Sequence, residues 1–253
     1  MAERTVRLQI RRRDRADAPS YWQAFEIPYQ PQMNVISCLQ RIAELRTAAD
    51  GLDVAPVAWD CNCLEEVCGA CSMLINGRVR QACTALVDKL LADKPQRIVI
   101  EPMTKFPVIR DLIVDRTRMF EDLRKVKAWN PVDGYYDLGH PPVVLPEEQE
   151  IGYPLSRCMS CGCCLEACPQ VNDRSGFIGP AAINQVAMHN THPTSKAIAP
   201  ERLDILMQPG GLGACGNAQN CYKVCPKEIP LTESIARTGR AITLYAIRKF
   251  FDK

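Results

Sequence analysis

CMSCGCCLEACP, residues 158–169, decides how the rest of the chain is read. Cys158, Cys161, Cys164, Cys168 and Pro169 follow the C-x2-C-x2-C-x3-C-P spacing by which bacterial ferredoxins hold iron-sulfur clusters. The same intervals return in CGNAQNCYKVCP, residues 215–226, as Cys215, Cys221, Cys225 and Pro226. The second cysteine position of that repeat holds Ala218, whose methyl group cannot ligate iron. In two-cluster ferredoxins the fourth cysteine of each run ligates the other run's cluster. Crosswise assignment gives Cys158, Cys161, Cys164 and Cys225 to a 4Fe-4S centre. It leaves Cys168, Cys215 and Cys221 for a centre most simply built as 3Fe-4S.

A third set lies far upstream. Cys63, Cys68, Cys71 and Cys83 read C-x4-C-x2-C-x11-C, the plant-type 2Fe-2S spacing. Gly69, directly after Cys68, is expected to take positive φ and aim amide N–H groups at cluster sulfurs, with Gly162 and Gly216 serving likewise. The three sets use eleven of the fourteen cysteines. Cys38, Cys61 and Cys163 fit none and read as buried small apolar residues or bystanders, Cys61 being the readiest substitute ligand. The opening MAERTVRLQIRRR lacks the apolar core of a signal peptide, which argues against a disulfide framework. Zinc is the stronger rival, but its ligands come commonly as two separated pairs, whereas runs of four ending in Cys-Pro are a ferredoxin habit.

Length and charge narrow the function. At 253 residues two domains are expected. Thirty-one basic against 29 acidic residues leave little net field, so nucleic acid is not expected as a partner. Arg7, Arg11, Arg12, Arg13 and Arg15 cluster near the start and read as a solvated edge strand and turn. No stretch reaches the roughly 18 to 20 apolar residues that cross a bilayer, which leaves open a peripheral place on a membrane.

The expected fold class is α+β: a plant-type 2Fe-2S ferredoxin-like (β-grasp) domain over residues 1–107, a connector over 108–149, and an α-helical bacterial-ferredoxin-like domain over 150–253. Alternation from Val6 to Ile10, the apolar stretch Ser72 to Ile75 before Asn76-Gly77, and Arg97 to Ile100 predict strands, with a tight hairpin at Asn76-Gly77. Val35, Leu39, Ile42 and Leu45 recur at helical spacing and predict a helix from Val35 to Ala49. Further helices are expected at Ile109 to Val126 and at Leu231 to Phe251, the latter packing Ile235, Ile242, Tyr245, Ala246 and Phe250 over the clusters.

Three centres of different nuclearity point to electron transfer, each exchanging one electron at its own potential. GGLGACG at 210–216 has the G-x-G-x-x-G spacing at Gly211, Gly213 and Gly216 but leads into a cysteine instead of running from strand to helix, so it is not read as a nucleotide-binding fingerprint. His140, His189 and His192 are too scattered for a metal site. Chemistry on a two-electron substrate is therefore expected on another subunit. The rival from a different class is an open 4Fe-4S site acting as a Lewis acid in a hydratase, against which no convergent acid-base residues appear.

Together, NCLEEVCGACSMLINGRVRQACTAL, FPVIRDLIVDRTRMF and the two ferredoxin runs resemble the iron-sulfur subunit of the succinate:quinone oxidoreductase family, succinate dehydrogenase and fumarate reductase. The resemblance implies an FAD-containing flavoprotein partner, a membrane-anchor cytochrome b subunit, and electrons running through 2Fe-2S, 4Fe-4S and 3Fe-4S to quinone on the cytoplasmic face of a bacterial membrane. It favours succinate oxidation, with fumarate reduction over the same route as the alternative. Three positions depart from common members of the family. Glu66 stands where many have glycine, and Asp173 and Gly216 stand where ubiquinone-reducing members have tryptophan and histidine, which places the chain with the menaquinone-linked branch.

Overall fold

The computed structural model describes residues 4–94, 96–131 and 143–252. His140 and most of the proline-rich part of the connector lie outside them. Contacts divide the chain into two compact units, one of Met1–Arg116 with Met159–Glu166, the other of Thr117–Cys158 with Ala167–Lys253.

The first unit is built on a five-stranded sheet of order β2-β1-β5-β3-β4, formed by β1 (Thr5–Arg12), β2 (Tyr21–Pro28), β3 (Ser72–Ile75), β4 (Arg78–Gln81) and β5 (Ile98–Glu101). β1 and β5 run parallel and the other neighbours antiparallel. Helix α1 (Val35–Leu45) supplies Val35, Ile36, Cys38, Leu39 and Ile42 to a core shared with Val6, Leu8, Ile10, Phe25 and Ile100. Cys38 is thus a small apolar core residue, its thiol pushed up to about 12 by burial. Asn34 caps α1 by accepting the Ser37 N–H at 2.9 Å, and its amide donates to the Cys83 carbonyl at 2.9 Å, tying the cap to a cysteine of the upstream set. The helix stops at Leu45, short of the expected Ala49, because Arg46 turns left-handed at φ 54°.

The hairpin between β3 and β4 is as expected: Asn76 and Gly77 take φ 51° and 78°. Two expectations are corrected. β1 is an interior strand, and its Arg12 is buried with Asp111 as an ion pair at 3.0 Å. The expected helix from Ile109 begins only at Thr117, because Val108–Arg110 and Ile113–Val114 form a short antiparallel pair, β6 and β7, around Asp111. The Asp111 carboxylate accepts from the Arg12 guanidinium and from the Arg13 and Ala58 backbone N–H groups, so a helix through it would break four bonds. Strand β2 and the short helix α2 (Val87–Asp93) had no counterpart in the sequence reading.

The second unit is helical, with α3 (Thr117–Lys125), α4 (Pro146–Ser156), α6 (Gly179–Thr191), α7 (Ala199–Leu206), α8 (Asn220–Lys223) and α9 (Leu231–Phe251); α5 (Cys163–Glu166) belongs to the first. Arg202 is wholly buried and donates to the Lys127, Trp129 and Ser195 carbonyls, the Asn190 amide oxygen and the Ser195 hydroxyl, which fastens the chain after α3 to α7.

Candidate metal centres

The upstream set lies wholly in the first unit. Between Cys63 and Cys71 the backbone turns left-handed at Leu64 (φ 60°), Glu66 (φ 56°) and Gly69 (φ 75°). This folds successive amides inward, a nest for negative charge. Glu65, Val67 and Cys68 N–H groups donate to the Cys63 sulfur at 3.4, 3.2 and 3.2 Å, and the Cys63 and Ala70 N–H groups to Cys68 at 3.5 Å. The bonds from Glu65 and Val67 hold the Cys63 thiol down at about 7, whereas burial pushes Cys83 up to about 12. Glu66 is held in its left-handed turn with its carboxylate accepting the Thr84 hydroxyl at 2.8 Å. Arg116 donates to the Gly69 and Ala70 carbonyls at 2.8 and 3.0 Å, fixing the far end of the loop. Cys61 is exposed nearby.

The segment Met159–Glu166 packs on this loop: a Cβ on Gly69 would lie 2.8 Å from the Cys161 Cα, so only glycine admits the approach. Cys161 is held down at about 7, first by a hydrogen bond from the Cys163 thiol and further by the Arg116 charge. Cys163 is fully buried and acts as that donor. Cys161 and Cys164 belong to the first unit, Cys158 and Cys225 to the second.

In the second unit one cavity is lined by Cys168, Cys215 and Cys221 together with Ala218 and Ile235. Burial pushes the Cys221 thiol up, with the Cys168 and Cys215 sulfurs adding to the effect. Asn220 donates to the Ala167 carbonyl at 3.1 Å, pinning α8 beside Cys168. Gly216 is not the left-handed residue expected there. Asn217 (φ 50°) and Gln219 (φ 59°) are, while the space beside Gly216 is filled by the Gln170 side chain. Only the start of α9 covers the cavity, with Thr232 and Ile235; Tyr245 instead bonds Asp204 at 3.0 Å, and Phe250 is 75% exposed. His192 meets the Thr194 hydroxyl at 2.9 Å, and His189, partly buried, is lowered to about 4.

The donor set fits iron-sulfur groups: thiols on turns that present N–H groups to sulfur. Among the described residues no three His, Cys, Asp or Glu side chains gather into a cage for a single ion. A cluster asks for a wider ring, since its irons and sulfides lie between the thiolates.

Residues 7–121 match a family described as a 2Fe-2S iron-sulfur cluster binding domain, and residues 154–229 one described as a 4Fe-4S dicluster domain. The fold and its cysteine-bearing turns therefore define an iron-sulfur electron-transfer protein with two ferredoxin-type halves. The succinate dehydrogenase iron-sulfur subunit of Bacillus subtilis is 54% identical over 249 residues, 98% of this chain and 97% of that one. The fumarate reductase iron-sulfur subunit of Mycobacterium tuberculosis is 32% identical over 257 residues, covering 98% and 97%. The chain belongs to the family of succinate dehydrogenase iron-sulfur subunits. A chain of the Mycobacterium smegmatis Sdh1 complex in the apo form shares the fold, with a TM-score of 0.72 at 23% identity and 98% of each chain covered. Among the described residues no helix is long and apolar enough to cross a membrane.

Proposed function

We propose that Cys63, Cys68, Cys71 and Cys83 hold a 2Fe-2S cluster, Cys158, Cys161, Cys164 and Cys225 a 4Fe-4S cluster, and Cys168, Cys215 and Cys221 a 3Fe-4S cluster. These groups supply reversible one-electron chemistry, at potentials that can range from roughly −700 to +450 mV in such proteins. The chain's own part is to supply thiolates, aim N–H groups at them, exclude water and hold the sites in series. Electrons enter from the flavoprotein subunit's FAD at the upstream loop and leave at the three-cysteine pocket toward menaquinone on a cytochrome b anchor, with the chain peripheral on the cytoplasmic face. Asp173 and Gly216 support the menaquinone branch. The 54% identity to a succinate dehydrogenase subunit supports succinate oxidation.

The observation that carries this reading is Ala218 lining one cavity with three thiols. Iron and acid-labile sulfide analysis of anaerobically purified complex tests it, with low-temperature EPR. About nine irons and ten acid-labile sulfides per chain, and the paramagnetic signal of an oxidised 3Fe-4S centre, are expected. Zinc without sulfide would end it. Steady-state rates of succinate oxidation and fumarate reduction by the same complex decide direction.

A further inference from the structure

Cys71, Gln81, Ser72 and Cys163 form a buried hydrogen-bonded chain within the first unit. The Cys71 thiol donates to Gln81 Oε1 at 3.5 Å. Gln81 Nε2 donates to the Ser72 hydroxyl at 2.9 Å and to the Cys163 sulfur at 3.4 Å. The Ser72 hydroxyl lies 2.8 Å from the Gly69 carbonyl and 2.9 Å from that of Cys161. Gln81 and Cys163 are completely shielded from solvent and Ser72 nearly so. A buried amide between two cysteine sites needs a partner for each of its polar atoms, since leaving one unmade costs about 1–3 kcal/mol.

We propose that Gln81 is a positioning residue that raises the potential of the 2Fe-2S centre by donating an N–H to the Cys71 thiolate. This rests on the reading above that Cys71 is a ligand. On ligation the Cys71 thiol gives its proton to solvent and its sulfur can only accept. Gln81 Oε1, which accepts from the thiol, would then face a thiolate. Turning the amide over resolves the conflict without moving any other heavy atom. Nε2 takes the place beside Cys71, and Oε1 takes the place beside Ser72, whose hydroxyl hydrogen swings to it from the Gly69 carbonyl; that carbonyl keeps its bond from Arg116 at 2.8 Å, and Cys163 keeps its hydrogen on Cys161. An N–H aimed at a ligand sulfur stabilises the additional negative charge of the reduced state, and hydrogen bonds to sulfur are among the levers on cluster potential. The same side chain reaches Cys163, the thiol that hydrogen-bonds Cys161, so one amide touches the hydrogen-bond shell of a ligand from two different cysteine sets.

The test is an EPR-monitored redox titration of the assembled complex carrying Gln81→Leu or Gln81→Glu, with pulsed EPR on the reduced protein in H2O and D2O. The wild type is expected to show the 2Fe-2S signal with coupling to an exchangeable proton from the Gln81 amide. Gln81→Leu should lose that coupling and shift the midpoint downward. Gln81→Glu keeps the shape but offers no N–H when ionised, and should shift it downward further. Should Gln81→Leu fail to assemble, Ser72→Ala keeps the amide while removing its partner, and should shift the midpoint by a smaller amount in the same direction. An unmoved midpoint with the coupling retained in Gln81→Leu, or in both Gln81→Glu and Ser72→Ala where Gln81→Leu does not assemble, overturns the inference alone. Absence of any 2Fe-2S signal in the wild type overturns instead the ligand assignment on which it rests.

Discussion

The two ferredoxin runs are the same backbone device carrying different side chains. In the first, Ser160 and Gly162 turn left-handed at φ 50° and 85°; in the second, Asn217 and Gln219 do so at 50° and 59°. Each pair stands two and four residues after the first cysteine of its run, so the repeat seen in cysteine spacing is also a repeat in conformation. The residue between the two turns is Cys161 in one run and Ala218 in the other. The loops therefore differ where a ligand is presented, while the turns that would present it are alike. A missing ligand on an intact turn reads as a site built for three thiolates, whereas a degenerate loop would have lost the turns as well.

The strongest way to break the comparison is to remove a second ligand from the weaker run. Cys221→Ala leaves two thiolates in the cavity and should abolish the three-iron EPR signal, with iron content falling by about three per chain. Retention of the signal would show that another group supplies the third bond. The next largest effect runs the other way. Ala218→Cys puts a thiol on a turn already shaped like that of Cys161 and should add one iron, replacing the oxidised three-iron signal with a centre of lower potential. For a one-electron step, each drop of about 59 mV makes transfer to that centre about tenfold less favourable, so quinone-linked turnover should fall while dye-linked turnover at the flavin does not. An unchanged three-iron signal would mean that the two turns are not equivalent.

A smaller effect probes the turns themselves. Gly162 has positive φ, and a Cβ there would meet the Phe106 ring at 3.1 Å, so Gly162→Ala should cost about 1–2 kcal/mol. Gln219 holds the equivalent position with a side chain already strained into the left-handed region. Gln219→Gly relieves that strain at some cost in unfolded-state entropy, and should be neutral to stabilising by up to about 1 kcal/mol. Thermal unfolding of the loaded protein should move the midpoint down for Gly162→Ala and leave it unchanged or move it up for Gln219→Gly. Shifts of the same sign would show that the two loops bear different loads.

These turns were half legible in the sequence. Cysteine spacing is set by a local cage and can be read one run at a time, as can the Asn76-Gly77 hairpin, whose two residues both tolerate positive φ. Gly216 misled because glycine marks either a left-handed turn or a close approach, and here Gln170 occupies the space while Asn217 does the turning. Non-local bonds were not legible at all. Asp111 stands near the start of a pattern that looks helical, and its partner Arg12 lies 99 residues away in sequence. Gln81 and Ser72 carry no motif, since their role exists only once β3, β4 and the segment Met159–Glu166 meet.

The finest contrast lies between the two units themselves. The described histidines, His189 and His192, both fall in the second. His189 is partly buried on α6, with Arg202 and His192 near it, and desolvation first, then the Arg202 charge, lower it to about 4 from an ordinary value near 6.5. A folded value below the unfolded one means that the unfolded chain takes up the proton first as pH falls. The contribution is complete above about pH 6.5 and drains away as pH drops from there toward 4. His189 is partly exposed, so solvent screening keeps the effect below those above. Between pH 7 and 5 the second unit should lose protection in hydrogen exchange more steeply than the first, and His189→Gln, which stays neutral in both states, should flatten that slope. An equal slope in both units, or one untouched by the substitution, would assign the acid sensitivity to the thiolate sites shared by the whole chain.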